Sequence, residues 1–506
     1  MRVIASPPTN EESDPPRAEA ERGGRWRVPA PLACLLGATL LLAVAWALVT
    51  PAFQAPDENS HFGYVQSLAE GQGLPGAADR PLFSTEQGLA ADNSNADQAA
   101  QQPDVKMEWS RLAYERWRDR ARALPDGGRS DGGGPNPAAN NPPLYYLYEA
   151  AAYKAAGGGD LFDRLLALRL ASLLWLLVGV VAIWLLAGEI TGRDRLLQLA
   201  AASLAGLAPM MSFLSASVTP DAMMYALWSL VLWLGVRVLK RGLSWPLALV
   251  LFLLVGAACC VKATSYSLLP AAALVLAIGW WRQRPRSLGS AAAAAAAALL
   301  GLAITLGAWK LVAAGADRAT SGQLTAAAST EGLNVRMLLS YVWQFYFPML
   351  PFQDDFAFPG STALPVDYIW LRGSWGAFGW LELTFPPITY DLLIGVTVVV
   401  VAAAITTVWR TRRSTDWAVA AFLVLVTVAL LGGLHWTEFQ QIARGGGPLN
   451  QGRYLLPLVG IAGLVVAQAL RALPPRRRPH GAATVVGGLL VLQLVALGLM
   501  LDRFYA

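Results

Sequence analysis

Cysteine is scarce in this 506-residue chain: Cys34, Cys259 and Cys260 are the only three. All three lie within or at the edge of apolar runs, which excludes a disulfide framework and a cysteine-based zinc site. Charge is scarce too, at 14% of residues. The basic residues fall in short clusters between apolar runs, so the net charge of +5 reports topology and excludes a nucleic-acid-binding stripe. What remains is 55% hydrophobic, with 19 tryptophans and a mean hydropathy of +0.42, the composition of a polytopic membrane protein.

Apolar runs of spanning length fall at 30–50, 169–188, 196–216, 220–239, 245–261, 264–281, 289–314, 391–409, 417–434, 453–470 and 482–501, which predicts an all-α membrane fold of about eleven helices. Residues 1–28 are polar and Pro-rich and read as a disordered tail; 29–502 reads as one transmembrane domain. The triplets Ala43-Val44-Ala45 and Ala45-Trp46-Ala47 resemble cleavage sites, yet the run from Pro29 to Thr50 is long enough to span, so it reads as a retained first helix. Arg193 and Arg195, Lys240 and Arg241, Arg282 to Arg286, Arg410 to Arg413 and Arg476 to Arg478 recur in every second short loop. By the excess of basic residues in cytoplasmic loops, that side is the cytoplasm, with the N-terminus inside and the C-terminus outside.

Two long loops, 51–168 and 315–390, are then extracytoplasmic. In the first, residues 57–70 and 142–156 read as surface-lying helices, and the Gly- and Asn-rich stretch Asp126 to Asn140 as mobile. In the second, Leu333 to Leu350 reads as interfacial. Directly after the first span stands Ala55-Pro56-Asp57-Glu58-Asn59-Ser60-His61-Phe62. With Pro56 as the first helical residue, Asp57, Glu58 and His61 share one flank, a spacing that permits an acid–base site or a divalent-metal site. The plainer reading gives the two acids to the helix dipole. Asp221, Lys262, Arg169 and Arg453 stand at the same membrane edge, where each alone reads as a headgroup-level side chain and several together as a phosphate site. Asp354 and Asp355 read as solvated loop charge, and His435 with Glu438 as a pair on one helical turn.

Five short motifs carry a resemblance: Pro56-Asp57-Glu58 with His61-Phe62, Asn141-Pro142-Pro143-Leu144-Tyr145-Tyr146, Thr219-Pro220-Asp221, Phe378-Gly379-Trp380-Leu381-Glu382 and Gln451-Gly452-Arg453-Tyr454. Together they resemble a family of uncharacterised bacterial membrane proteins that is similar to the GT-C glycosyltransferase superfamily. The resemblance implies sugar transfer from a polyprenyl-phosphate lipid donor to a cell-envelope glycan or glycoprotein. Asp57, with its neighbour Glu58, falls at the position of the catalytic acid, and Arg453, Lys262 and Arg169 become donor-phosphate ligands. His61, Asp221 and Tyr145 would support them, and a divalent ion on Asp57, Glu58 and His61 stays open. Two other classes compete: a lipid or polysaccharide flippase, for which the span centres offer nothing stronger than Gln198, Gln468 and Gln493, and a non-catalytic scaffold anchored by its tryptophans.

Overall fold

The computed structural model describes residues 28–102, 104–315, 334–353, 356 and 364–506. The expected N-terminal tail, apart from Val28, and the Asp354–Asp355 pair lie outside the described residues.

The chain folds as a bundle of long apolar helices with a folded cap at one end. The elements used below are α1 (Ala30–Val49), α2 (Glu58–Ala69), α3 (Thr85–Asn93), α4 (Ala96–Gln101), α5 (Arg111–Arg122), α6 (Leu144–Ala155), α7 (Leu161–Thr191), α8 (Arg195–Leu207), α9 (Pro209–Ser215), α10 (Asp221–Arg241), α11 (Trp245–Cys259), α12 (Leu268–Trp281), α13 (Leu288–Ala314), α14 (Val335–Tyr346), α15 (Pro387–Arg410), α16 (Trp417–Ala443), α17 (Val459–Arg471) and α18 (Arg478–Tyr505). Among the described residues, nine helices are long and apolar enough to cross a membrane, α12 and α17 each counted with the 3-10 turns that lead into it (Ala263–Trp281 and Gly452–Arg471), or ten if α8 and α9 count as one span bent by 53° at Pro209. The count of eleven is therefore corrected. The segment at 245–261 supplies only the 15-residue α11, about 22 Å of helix against a hydrocarbon core of about 30 Å. The all-α expectation also misses a minimal antiparallel ribbon, Ala377–Phe378 paired with Leu383–Thr384.

Ion pairs mark the two ends of the bundle. Arg241 and Arg237 bind Glu189, and Arg282 binds Asp416 at 2.7 Å, so the basic loops gather at one end. Helix α10 runs from there to Asp221, and α11 returns to Lys262, which pairs with Asp221 at 2.5 Å. The last helix ends on that same side: Arg503 donates to the carbonyls of Ala99 and Val105 in the first long loop. Inside the bundle, Gln493 accepts from Trp46 Nε1 at 2.6 Å and donates to Ser212, while Gln198 donates to the Trp184 carbonyl. Both mid-span amides are thus occupied in holding helices together.

Helix α7 is the pillar on which the cap stands. Its 31 residues make a rod of about 46 Å, longer than the bilayer core, so its first turns project. A reciprocal cap between Asp160 and Asp163 starts it. Arg164 then holds Glu86 of α3 at 2.6 Å, and Arg169 holds Glu58 of α2 at 2.6 Å. The stretch expected to be mobile is instead folded onto this cap. Gly134 donates to the Pro81 carbonyl, Gly76 to that of Gly133, and Asp131 receives the Thr85 amide. A Cβ at Gly134 would lie 2.4 Å from the Arg80 carbonyl oxygen; the glycines there permit backbone to lie on backbone. Helices α2 and α6 form close to the expected places, and α14 occupies the interfacial segment from Asn334 onward.

Candidate functional site at the outer edge of the bundle

Helix α2 begins at Glu58, two residues later than Pro56 predicts. Asp57 is its N-cap in the left-handed region, φ +61°, and its carbonyl accepts the first helical bond from the His61 amide. That reversal sends the neighbouring side chains in different directions. Glu58 turns inward and is fully buried. It accepts from Arg169 Nε at 2.8 Å and Nη2 at 2.6 Å, from the Phe53 amide and from the Val218 amide. Arg169 gives its remaining donors to the carbonyls of Ala47, Thr50 and Pro51. Neither group keeps a free site, so Glu58 as a second catalytic acid and Arg169 as a phosphate ligand are corrected to a structural ion pair. The pair fixes the start of α2 and the turn that precedes Asp221.

Asp57 turns outward, with its side chain 39% exposed, and its Oδ2 takes Arg453 Nη2 at 2.7 Å. Burial pushes the Asp57 carboxyl up, but the Arg453 guanidinium outweighs it, aided by His61 and Lys262, and holds the group below its usual range. Oδ1 has no protein hydrogen bond among the described residues. Arg453 comes from the opposite end of the sequence. Gly452 delivers it through a backbone crossing so close that a Cβ there would stand 2.1 Å from Gly373 C, and the Arg453 carbonyl is held by Tyr225 OH. Tyr454 lies under two cations, with its ring centroid 5.3 Å from Lys262 Nζ and 5.5 Å from Arg453 Cζ. Among the described residues, two buried atoms of the cluster carry no hydrogen bond, Arg453 Nε and Asp221 Oδ2. Four segments that are remote in sequence therefore present two carboxylates and two cations at one point, with a donor and an acceptor left over.

His61 Nδ1 lies 2.8 Å from Tyr146 OH, which also accepts from Asn141 Nδ2. Tyr146 stacks on Tyr64 with centroids 3.7 Å apart. Burial drives the His61 pKa down to about 4 against the upward pull of Asp57, so the ring is neutral, and the tautomer sets which of Nδ1 and the tyrosine hydroxyl donates. The three proposed metal donors do not converge: Glu58 faces Arg169, Asp57 faces Arg453, and His61 faces Tyr146. Among the described residues, no group of three His, Cys, Asp or Glu side chains is placed to hold an ion.

Tyr145, expected in support of the site, is buried and hydrogen-bonds Ser172 at 2.9 Å; its neighbour Tyr146 makes the contact to His61. Ser172 in turn donates to Glu149, whose Oε2 is unpaired. Burial raises the Glu149 pKa to about 8 despite the bonds from Ser172 and Tyr145. The unfolded chain loses this proton near 4.5 and the folded chain near 8. Its contribution is complete below about 4.5 and lost as pH climbs through 8. Thermal melting in detergent should show wild type losing stability across that window, and Glu149→Gln should flatten the loss; an unchanged slope would place the titration elsewhere. His435 and Glu438 do not pair with each other. Both bond Tyr341, and Glu438 also receives the Leu449 and Asn450 amides and Asn450 Nδ2, fixing the strand that leads to Arg453. The Phe378–Glu382 motif forms the ribbon turn, with Leu381 at φ +75°, and Trp380 donates to the Phe53 carbonyl at 3.0 Å, close behind Asp57.

Over residues 40–462 the chain matches the family model described as Predicted membrane protein (DUF2142). No curated protein matches the sequence. Among solved structures the chain is similar to ArnT from Cupriavidus metallidurans bound to undecaprenyl phosphate, at 14% identity and a TM-score of 0.49, over 94% of this chain and 78% of that one. It is also similar to the Archaeoglobus fulgidus oligosaccharyltransferase in its apo form, at 12% identity and a TM-score of 0.48, over 92% of this chain and 56% of that one.

Proposed function

We propose that this chain, which belongs to the DUF2142 family of predicted membrane proteins, transfers a sugar from a polyprenyl-phosphate-linked donor to a cell-envelope glycan or glycoprotein. The protein is a multi-pass integral membrane protein; in this reading its N-terminus is cytoplasmic and the site faces the exterior, an orientation that the basic loops at the far end of the bundle support. The carrying observation is the partly exposed Asp57 carboxylate held 2.7 Å from Arg453, beside the Lys262–Asp221 pair, at the rim of an apolar bundle. A lipid-linked donor needs an apolar path for its tail and cations for its phosphate, and this rim offers both.

Asp57 Oδ1 takes the proton of an acceptor hydroxyl as that oxygen forms its bond to the anomeric carbon. The bond from the anomeric carbon to phosphate oxygen breaks, and the electron pair leaves with polyprenyl phosphate. Arg453 and Lys262 stabilise the charge that develops there. Asp57 then passes its proton to water. Arg453 binds Asp57 before the reaction, so the same guanidinium keeps the base ionised and stands next to the leaving group.

The test is transfer of labelled sugar from polyprenyl phosphate to membrane acceptors in vesicles containing the protein. Lys262→Gln is expected to lower the rate about a hundredfold, the scale of removing one transition-state charge stabiliser, and Lys262→Arg to recover part of it. Normal insertion with lipid movement across the bilayer and no transfer by wild type would replace this reading with the flippase.

A further inference from the structure

Helix α5 lies over the outer end of α7 and borders two adjoining, half-open cavities. One, of about 310 Å³, is walled by the rings of Trp109, Tyr114, Trp117 and Phe162. The other, of about 350 Å³, is polar, with Arg118, Arg122, Arg129, Glu86, Asp160 and Asp163 around it. Tyr114 and Trp117 line both, so the two share a wall.

The polar chamber has more donors than its own chain satisfies. Trp117 is 2% exposed, and its indole Nε1 has no hydrogen bond among the described residues. The guanidinium Nε atoms of Arg118 and Arg129, and of Arg164 behind them, have none either, apart from a 3.4 Å approach of Arg129 to Glu86. Buried N–H groups in native proteins nearly always find a partner, so such a group beside a cavity points to one that arrives from outside. Acceptors stand among them. Asp160 takes the Phe162 and Asp163 amides and the Tyr114 hydroxyl, Asp163 takes the Asp160 amide, and carboxylates have further lone pairs. Three arginines against three carboxylates leave the lining close to neutral, so a phosphate would meet as much repulsion as attraction. A sugar meets the opposite case: each hydroxyl both donates and accepts, and its ring presents an apolar C–H face to an aromatic wall.

We propose that these chambers bind a neutral saccharide, with a ring against Trp117 and Tyr114 and hydroxyls on the unpaired N–H groups and on the carboxylates. Its role as the acceptor rests on the glycosyl-transfer reading; its binding of sugar does not. Helix α2 joins the two places. Asp57 caps its start, and Gln66, about 14 Å along it, donates to Glu86 of the polar chamber at 3.0 Å.

The test uses full-length labelled protein in lipid nanodiscs on a printed array of neutral, uronate-containing and phosphorylated oligosaccharides. Neutral glycans should bind above an empty-nanodisc blank. Arg118→Gln and Trp117→Ala should each weaken that binding at least tenfold, while Arg111→Gln on the exposed face of α5 should leave it unchanged. Thermal melting checks that Trp117→Ala remains folded, and the half-buried Arg118 supplies the decisive variant if it does not. Binding confined to charged glycans, no binding at all, or full binding by Arg118→Gln would overturn the proposal. Asp57→Asn should keep the array signal while losing transfer, which separates failure of this site from failure of the catalytic reading.

Discussion

Asp57→Asn is expected to lower sugar transfer about a thousandfold, within the range that a positioned general base contributes, while the protein stays inserted and folded. Asparagine is the informative replacement because residue 57 sits at φ +61°. Asparagine tolerates the left-handed region where alanine would strain it, so the start of α2 and the Glu58–Arg169 pair should survive. The amide oxygen can still accept from Arg453, and what disappears is the charge that takes a proton. Single-turnover transfer in vesicles, read beside the melting temperature, measures the effect. Transfer at the wild-type rate would remove Asp57 from the mechanism. The pH profile offers a second reading. Arg453 holds the Asp57 carboxyl below its usual value, so the base is ionised above that depressed pKa and lost only as pH falls through it. Wild-type activity should show no acid limb from this group until below about pH 4, the ordinary aspartate value. A limb centred near 6 would assign the base to another residue.

Arg169→Leu should have the largest effect on stability, a loss of about 3–5 kcal/mol, because removing one partner of a buried pair strands the other. Here it strands Glu58, which is fully buried, together with the carbonyls of Ala47, Thr50 and Pro51. The expected result is a lowered melting temperature, with activity falling because the protein unfolds. Adding Glu58→Met to Arg169→Leu should recover part of the loss, since an apolar pair of similar volume strands no charge. If Arg169→Leu instead left the melting temperature unchanged and raised the KM for the lipid donor, Arg169 would return to the list of phosphate ligands.

The bundle was legible in the sequence because apolar length is a direct physical requirement of a bilayer, and each of the predicted segments has a helix at its place. The exception in length, α11, is a helix of 15 residues whose apolar run continues into the turn at Val261, which a count of hydrophobic residues cannot separate. The meeting of Asp57 with Arg453 was readable from their common membrane edge. The division of work between Asp57 and Glu58 was not, because it depends on a single positive φ that starts the helix two residues late and parts two adjacent carboxylates. The same holds for Arg169, whose five donors go to Glu58 and to three backbone carbonyls that carry no side-chain signal. The glycine-rich insert misled for a related reason: Gly132, Gly133 and Gly134 suit a disordered segment and a tightly laid one equally well, and only the opposing backbone at Arg80 to Ser84 decides.

The two clamps on α7 sit five residues apart on one continuous rod. A tilt of that helix therefore carries the whole outer cap with it, as a tower moves with its foundation. A thicker or thinner membrane would shift the height at which the cap stands above the lipid while leaving its internal geometry alone.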